Sequence, residues 1–145
     1  MSVVPTSPRI HVSLRTRDLS ASRAFYERLF GEDPDKVRDG YVRFAPHGVP
    51  ILLALMEGDP GVDHFGVRMP DTDQARAAWD RISDDGAELS PSEGVVCCHA
   101  TKDEAWLTDP DGRAWEVYAV TDERPTAAPT DRGCCGGMGS ARGAA

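Results

Sequence analysis

Three side chains stand out as possible ligands of one metal ion. His11 lies in Ile10-His-Val-Ser-Leu14, and His64 lies in Val62-Asp-His-Phe-Gly-Val67. An imidazole in the middle of an apolar strand needs a polar partner. For either residue alone, a hydrogen-bonded core histidine is the simpler account. As a matched pair they suit a metal, because neutral imidazole is the commonest side-chain ligand for such ions. Glu116, in Trp115-Glu-Val-Tyr-Ala-Val120, adds a carboxylate among large apolar neighbours, either on an exposed strand edge or paired inside. Two imidazoles and one carboxylate leave coordination positions open. Such a set suits a non-haem Fe(II) that takes up dioxygen and substrate together. A zinc ion with one water could use the same three residues, and spacing does not separate the two.

The second chemical feature is sulfur. The four cysteines form two adjacent pairs, Cys97-Cys98 and Cys134-Cys135. Disulfide frameworks of small secreted domains space their cysteines to tie distant segments together. Direct neighbours would close a strained ring, so free thiols serving a soft centre are expected. Other polar residues have plainer readings. His47 falls at an exposed Pro-His-Gly turn, Asp109, Asp111 and Gly112 suit a hairpin turn, and Arg15 and Arg68 suit solvated strand ends.

An internal repeat supplies the elements that position these groups. A shift of 53 lays Arg9 to Leu29 over Val62 to Ile82 without a gap, and six of the 21 pairs are identical, His11/His64 among them. That is more than chance pairing would give, and it marks a duplication. Each copy opens on strand-like alternation. Asp18 or Asp71 follows where a helix N-cap belongs. Helical spacing comes next, with Phe25/Leu29 and Tyr26/Phe30 in one copy and Ala75/Trp79/Ile82 in the other. Gly31 and Gly86 suit the helix ends.

The second halves align through the turns Pro46-His-Gly48 and Pro110-Asp-Gly112, at a larger offset of 64. Copy two therefore carries an insertion between about residues 87 and 104, and Cys97-Cys98 lies inside it. On this alignment the counterpart of Glu116 is Leu52, so one side of the site lacks a ligand. The expected fold class is α+β: two βαβββ modules, 9–57 and 62–121, forming curled mixed sheets around a shared metal-binding cavity. Residues 122–145, rich in Gly, Pro and Ala, read as a disordered tail carrying the second cysteine pair.

A net charge of −8 gives no electrostatic footprint for nucleic acid or an anionic membrane. The longest apolar run, Ile51 to Met56, is too short to span a bilayer. Met1 to Pro8 has no leader-like apolar stretch, so the expected location is the cytoplasm. Monomer and homodimer are both compatible with the sequence.

Over about residues 9–121 the chain resembles the vicinal oxygen chelate (glyoxalase/bleomycin resistance/dioxygenase) superfamily. The run from Cys97-Cys-His-Ala through Asp109-Pro-Asp-Gly112 to Trp115-Glu116 is similar to its arsenic- and cadmium-induced branch. The Phe25-Tyr26…Leu29-Phe30-Gly31 pattern is shared across the superfamily. The resemblance implies an Fe(II)-dependent dioxygenase acting as a carbon–arsenic lyase on trivalent organoarsenicals such as methylarsenite, with inorganic arsenite as product. It implies iron on His11, His64 and Glu116, and arsenic on Cys97 and Cys98. Thiol chemistry agrees: trivalent arsenic is soft and selects thiolates, and two neighbouring thiols can replace both hydroxyls of a monosubstituted arsenical. This branch usually has an aromatic after the cysteine pair and a lysine after the next aspartate. Here His99 and Glu104 stand there, neither of them expected to touch the ligands. The alternatives are a non-catalytic cadmium- or arsenite-binding stress protein and another metal-dependent enzyme of the superfamily.

Overall fold

The computed structural model describes residues 6–97 and 99–128. The first module runs β1 (Arg9–Thr16), α1 (Leu19–Phe30), β2 (Lys36–Arg38), β3 (Tyr41–Phe44) and β4 (Ile51–Glu57). The second runs β5 (Gly61–Arg68), α2 (Thr72–Asp84), β6 (Ser90–Cys97), β7 (Ala100–Thr108) and β8 (Ala114–Asp122). The fold is α+β, and the two modules share one eight-stranded mixed sheet in the order β2-β3-β4-β1-β5-β8-β7-β6. In each module the first strand pairs in parallel with the last, β1 with β4 and β5 with β8. The modules join where β1 runs antiparallel to β5.

The helices begin and end as their residues dictate. The Asp18 carboxylate accepts from the Ala21 N–H at 3.0 Å, and Asp71 accepts from Gln74 at 2.8 Å. Each satisfies an amide that the first turn leaves without an intrahelical partner. Gly31 closes α1 in the left-handed region at φ 67°, where a residue without Cβ meets no penalty. Of the two expected α1 rows, Tyr26 and Phe30 pack on Val42, Phe44, Leu53 and Leu55. Phe25 and Leu29 face outward, 52% and 60% exposed. On α2, Ala75, Ala78 and Trp79 cover Ala105, Val117 and Ala119, and the Trp79 indole donates to the Val117 carbonyl at 2.9 Å.

Strand alternation then sends every second side chain to the other, concave face. β4 is buried on both faces, which explains its unbroken apolar run. Leu53 and Leu55 meet α1, while Ala54 and Met56 form a separate cluster with Tyr41. The expected insertion takes the form of extended strands: β6 and β7 have 8 and 9 residues, against 3 and 4 in β2 and β3. No described helix is long and apolar enough to cross a membrane.

Candidate metal centre

The repeat places its two histidines symmetrically about the β1–β5 seam. His11 pairs with Gly66, and Ser13 pairs with His64, so each histidine faces the other copy's equivalent small residue. The imidazole centroids come within 5.3 Å. On the far side of β5, Gly66 also pairs with Glu116 of β8. Gly66 thus lies between one histidine and the carboxylate, and the absence of a side chain there lets them meet. A Cβ at Gly66 would stand 2.8 Å from the Glu116 carbonyl and 3.5 Å from the His11 Cβ.

The outcome is a buried triad: one ligand atom from each of His11, His64 and Glu116 lies within 4.8 Å of the others. His64 Nε2 is 3.5 Å from Glu116 Oε2. His11 Nε2, His64 Nε2 and Glu116 Oε2 are buried with no hydrogen-bond partner. Native structures rarely leave such atoms orphaned, and three of them converging is what a divalent cation would satisfy. The donor set fits a transition metal with open positions. Among the described residues no other such cluster is found.

Neighbouring groups hold each candidate ligand in orientation. Between Ser13 and Leu14 the seam slips by one residue, so the register passes over Asp63. Such a bulge re-aims side chains. Asp63 Oδ2 lies 2.7 Å from His64 Nδ1 although the two are sequence neighbours. On His11, Nδ1 meets the Tyr118 hydroxyl at 2.6 Å. The tautomer that donates Nδ1–H to this hydroxyl leaves on Nε2 the lone pair that a metal needs. Lys102 binds Glu116 Oε1, leaving Oε2 toward the imidazoles. Its ammonium also sits 4.9 Å over the Tyr118 ring and 3.3 Å from Glu104.

The electrostatics follow from these contacts. Burial, then His64, pushes His11 down to about 3, so it stays neutral. Burial would lower His64 too, but the Asp63 and Glu116 carboxylates override it and raise the group to about 9. Burial alone would raise Glu116, yet Lys102 and His64 hold it well below the usual carboxylate range. Glu104 is pushed up to about 7, first by burial and then by Glu116 beside it.

Some expectations need correction. Glu104 does adjoin a proposed ligand, because alternation along β7 turns Lys102, Glu104 and Trp106 inward together. The counterpart of Glu116 is Ala54 rather than Leu52. Gly66 pairs with Glu116, and its equivalent Ser13 pairs with Ala54, so the turn alignment was two residues out of register. Both candidates are apolar, and the first copy still offers no fourth ligand. Arg68 is buried, not solvated, with Nη2 3.0 Å from Glu123 Oε1. His47 is exposed as expected, with Nδ1 2.7 Å from Glu32. Asp109 builds the hairpin turn, accepting from the amides of Asp111 and Arg113.

Cys97 ends β6, buried against Trp106, whose ring meets His64 edge-on at 5.1 Å. One indole therefore separates this sulfur from the triad. The expectation of free thiols does not hold for Cys97, which is disulfide-bonded. Cys98, Cys134 and Cys135, and the tail from residue 129 on, lie outside the described residues. Sequence reasoning missed Asp63, Tyr118 and Lys102. For Asp63 and Tyr118 the signal was a polar residue on the same strand as a candidate ligand, whereas Lys102 lies on β7, which carries none.

The family model described as Glyoxalase/Bleomycin resistance protein/Dioxygenase superfamily matches residues 10–117. The chain is 38% identical to a trivalent organoarsenical cleaving enzyme of Thermomonospora curvata, over 94% of this chain and 97% of the relative. It is 36% identical to the cadmium-induced protein CadI of Mycobacterium bovis, over 81% and 80% respectively. Among solved structures, homoprotocatechuate 2,3-dioxygenase of Arthrobacter globiformis shares the fold with TM-score 0.57 at 19% identity, over 90% of this chain and 42% of that one.

Proposed function

Because the chain belongs to the Glyoxalase/Bleomycin resistance protein/Dioxygenase superfamily, we propose that it cleaves the carbon–arsenic bond of trivalent organoarsenicals such as methylarsenite, as a non-haem Fe(II)-dependent dioxygenase. The observation that carries this reading is the buried triad of orphaned ligand atoms, one indole away from Cys97. Its similarity to the organoarsenical cleaving enzyme supports the substrate class.

His11, His64 and Glu116 would hold the iron, which when bound supplies the activation of dioxygen. The chain's own residues do the rest. Asp63 and Tyr118 fix the imidazole faces, and Lys102 occupies Glu116 Oε1, leaving Oε2 for the ion. The reduced thiols of Cys97 and Cys98 would displace the two hydroxyls of an arsenical. Two sulfur–arsenic bonds form, two waters leave, and the organic group remains on arsenic. Trp106 and the buried flank of β7 limit water beside the ligands.

The test is anaerobic loading with Fe(II), then methylarsenite and air under a thiol reductant, with arsenic species separated by chromatography. Inorganic arsenite at the expense of methylarsenite supports the reading; no arsenite above the metal-free background refutes it. A second reading, a non-catalytic binder of thiophilic ions in the cytoplasm, draws on the similarity to a cadmium-induced protein. It requires stoichiometric arsenite binding that survives His11→Ala and fails without the cysteines.

A further inference from the structure

The eight-stranded sheet has two ends, β2 and β6, and one buried ammonium bridges them. Lys36, the first residue of β2, is 4% exposed. Its Nζ donates to the His99 carbonyl at 2.5 Å, to the Glu123 carbonyl at 2.7 Å and to Glu123 Oε2 at 3.3 Å. A lysine has three N–H bonds, and all three are used on segments that precede β7 and follow β8.

The partners of Lys36 are themselves pinned. Glu123 Oε2 takes a bond from Arg43 Nη2 at 3.1 Å, and Arg43 is locked to both oxygens of Asp35 at 3.1 and 2.7 Å. On the opposite side, Tyr41 rests its ring 5.2 Å from that of His99. His99 is the one non-glycine with positive φ among the described residues, at 64°. A histidine holds that conformation when surrounding contacts over-determine it, and here they are Lys36 below and Tyr41 beside it. Cys97 pairs with Ala100 across this turn, so the fastening acts two residues from the sulfur.

We propose that Lys36 is a positioning residue for the cysteine-bearing hairpin, a staple that joins the sheet's two ends and fixes where Cys97 stands relative to the metal ligands. Its use in handling an arsenical rests on the reading of Cys97 and Cys98 given above; the staple itself does not. Glu123 completes it, since its carboxylate joins Lys36, Arg43 and Arg68 in one cluster.

Hydrogen exchange on the reduced, metal-free full-length chain tests the staple, comparing wild type with Lys36→Met, which keeps the apolar stem. Amides of residues 95–101 should exchange about tenfold faster or more, while those of α2 keep their wild-type rates. Unchanged exchange in the hairpin overturns the proposal, and so does equal acceleration throughout the chain, which would mean a general loss of stability. Should Lys36→Met fail to fold, Glu123→Gln replaces it: it removes the charge but keeps the carbonyl, and a smaller acceleration confined to the same residues is expected. Phenylarsine oxide binding separates the two readings. Thiol-dependent binding by wild type together with unchanged exchange in the variant overturns the staple and leaves the arsenic reading. Faster exchange without thiol-dependent binding supports the staple and removes the arsenic reading.

Discussion

Adding one methyl group at Gly66 should impair both metal binding and stability. The alanine Cβ would meet the Glu116 carbonyl oxygen at 2.8 Å, with the Glu116 and His11 Cβ atoms at 3.4 and 3.5 Å. Ordinary contact begins near 3.4 Å, so β5 and β8 must part by about 0.6 Å. The offending atom is backbone, held in a parallel ladder, so no rotamer change relieves it. Overpacking of this kind costs about 1–3 kcal/mol. Metal bonds tolerate only ~0.2 Å of ligand misplacement, and Gly66 separates His11 from Glu116. A loss of about ten- to a hundredfold in metal affinity follows, the range expected when ligand orientation is disturbed. Anaerobic Fe(II) or Co(II) titration against a competing chelator measures it, with thermal melts of the metal-free protein alongside. Gly66→Ala with wild-type affinity would refute the account, because the two strands would then have absorbed the methyl without moving their ligands.

Two further predictions concern protons and packing. His64, raised to about 9 by its carboxylate neighbours, is imidazolium at neutral pH without metal, whereas His11, lowered to about 3, is already neutral. The raised group stabilises the metal-free fold fully below its unfolded value of 6.5, and that contribution fades as pH rises through about 9. Metal must displace this proton. Calorimetry in buffers of different ionisation enthalpy should show about one proton released per ion at pH 7, with affinity rising about tenfold per pH unit from 6 to 8. Zero release, or a flat profile, contradicts the assignment. Trp79→Phe removes the donor to the Val117 carbonyl and should destabilise the fold by about 1–3 kcal/mol in denaturant melts. Metal affinity should stay within about twofold, since α2 packs on the face of the sheet opposite the ligands.

The parts of the molecule legible in the sequence are those governed by local rules. Asp18, Asp71 and Gly31 mark helix ends through short-range hydrogen bonds and φ. The histidine pair was legible because the duplication runs without a gap from β1 through most of the first helix, and the seam preserves its symmetry. The match of Glu116 to Leu52 failed because turns absorb length changes, and a strand may then pair two residues away from where its turn suggests. The polar network was hidden for another reason. Arg43 and Arg68 lie between apolar residues, whereas Lys36, Lys102 and Glu104 each adjoin an aspartate, and both patterns are those of charges on a half-solvated strand. Only closure of the sheet puts them inside, opposite one another, and closure depends on pairings between residues far apart in the chain.

His11 sits on the first strand, His64 on the fifth and Glu116 on the last, so the three candidate ligands divide the chain into two long stretches. During synthesis the carboxylate emerges only when nearly the whole folded region has been made. Two imidazoles alone, on an unzipped seam, have little hold on an ion. A metal held by all three would therefore be captured only once the final strand has docked between β5 and β7. An ion that binds then bridges segments with long loops between them, and mass action draws the finished chain toward its native state. With this order of side chains along the chain, a centre built from all three could not load before that strand is in place.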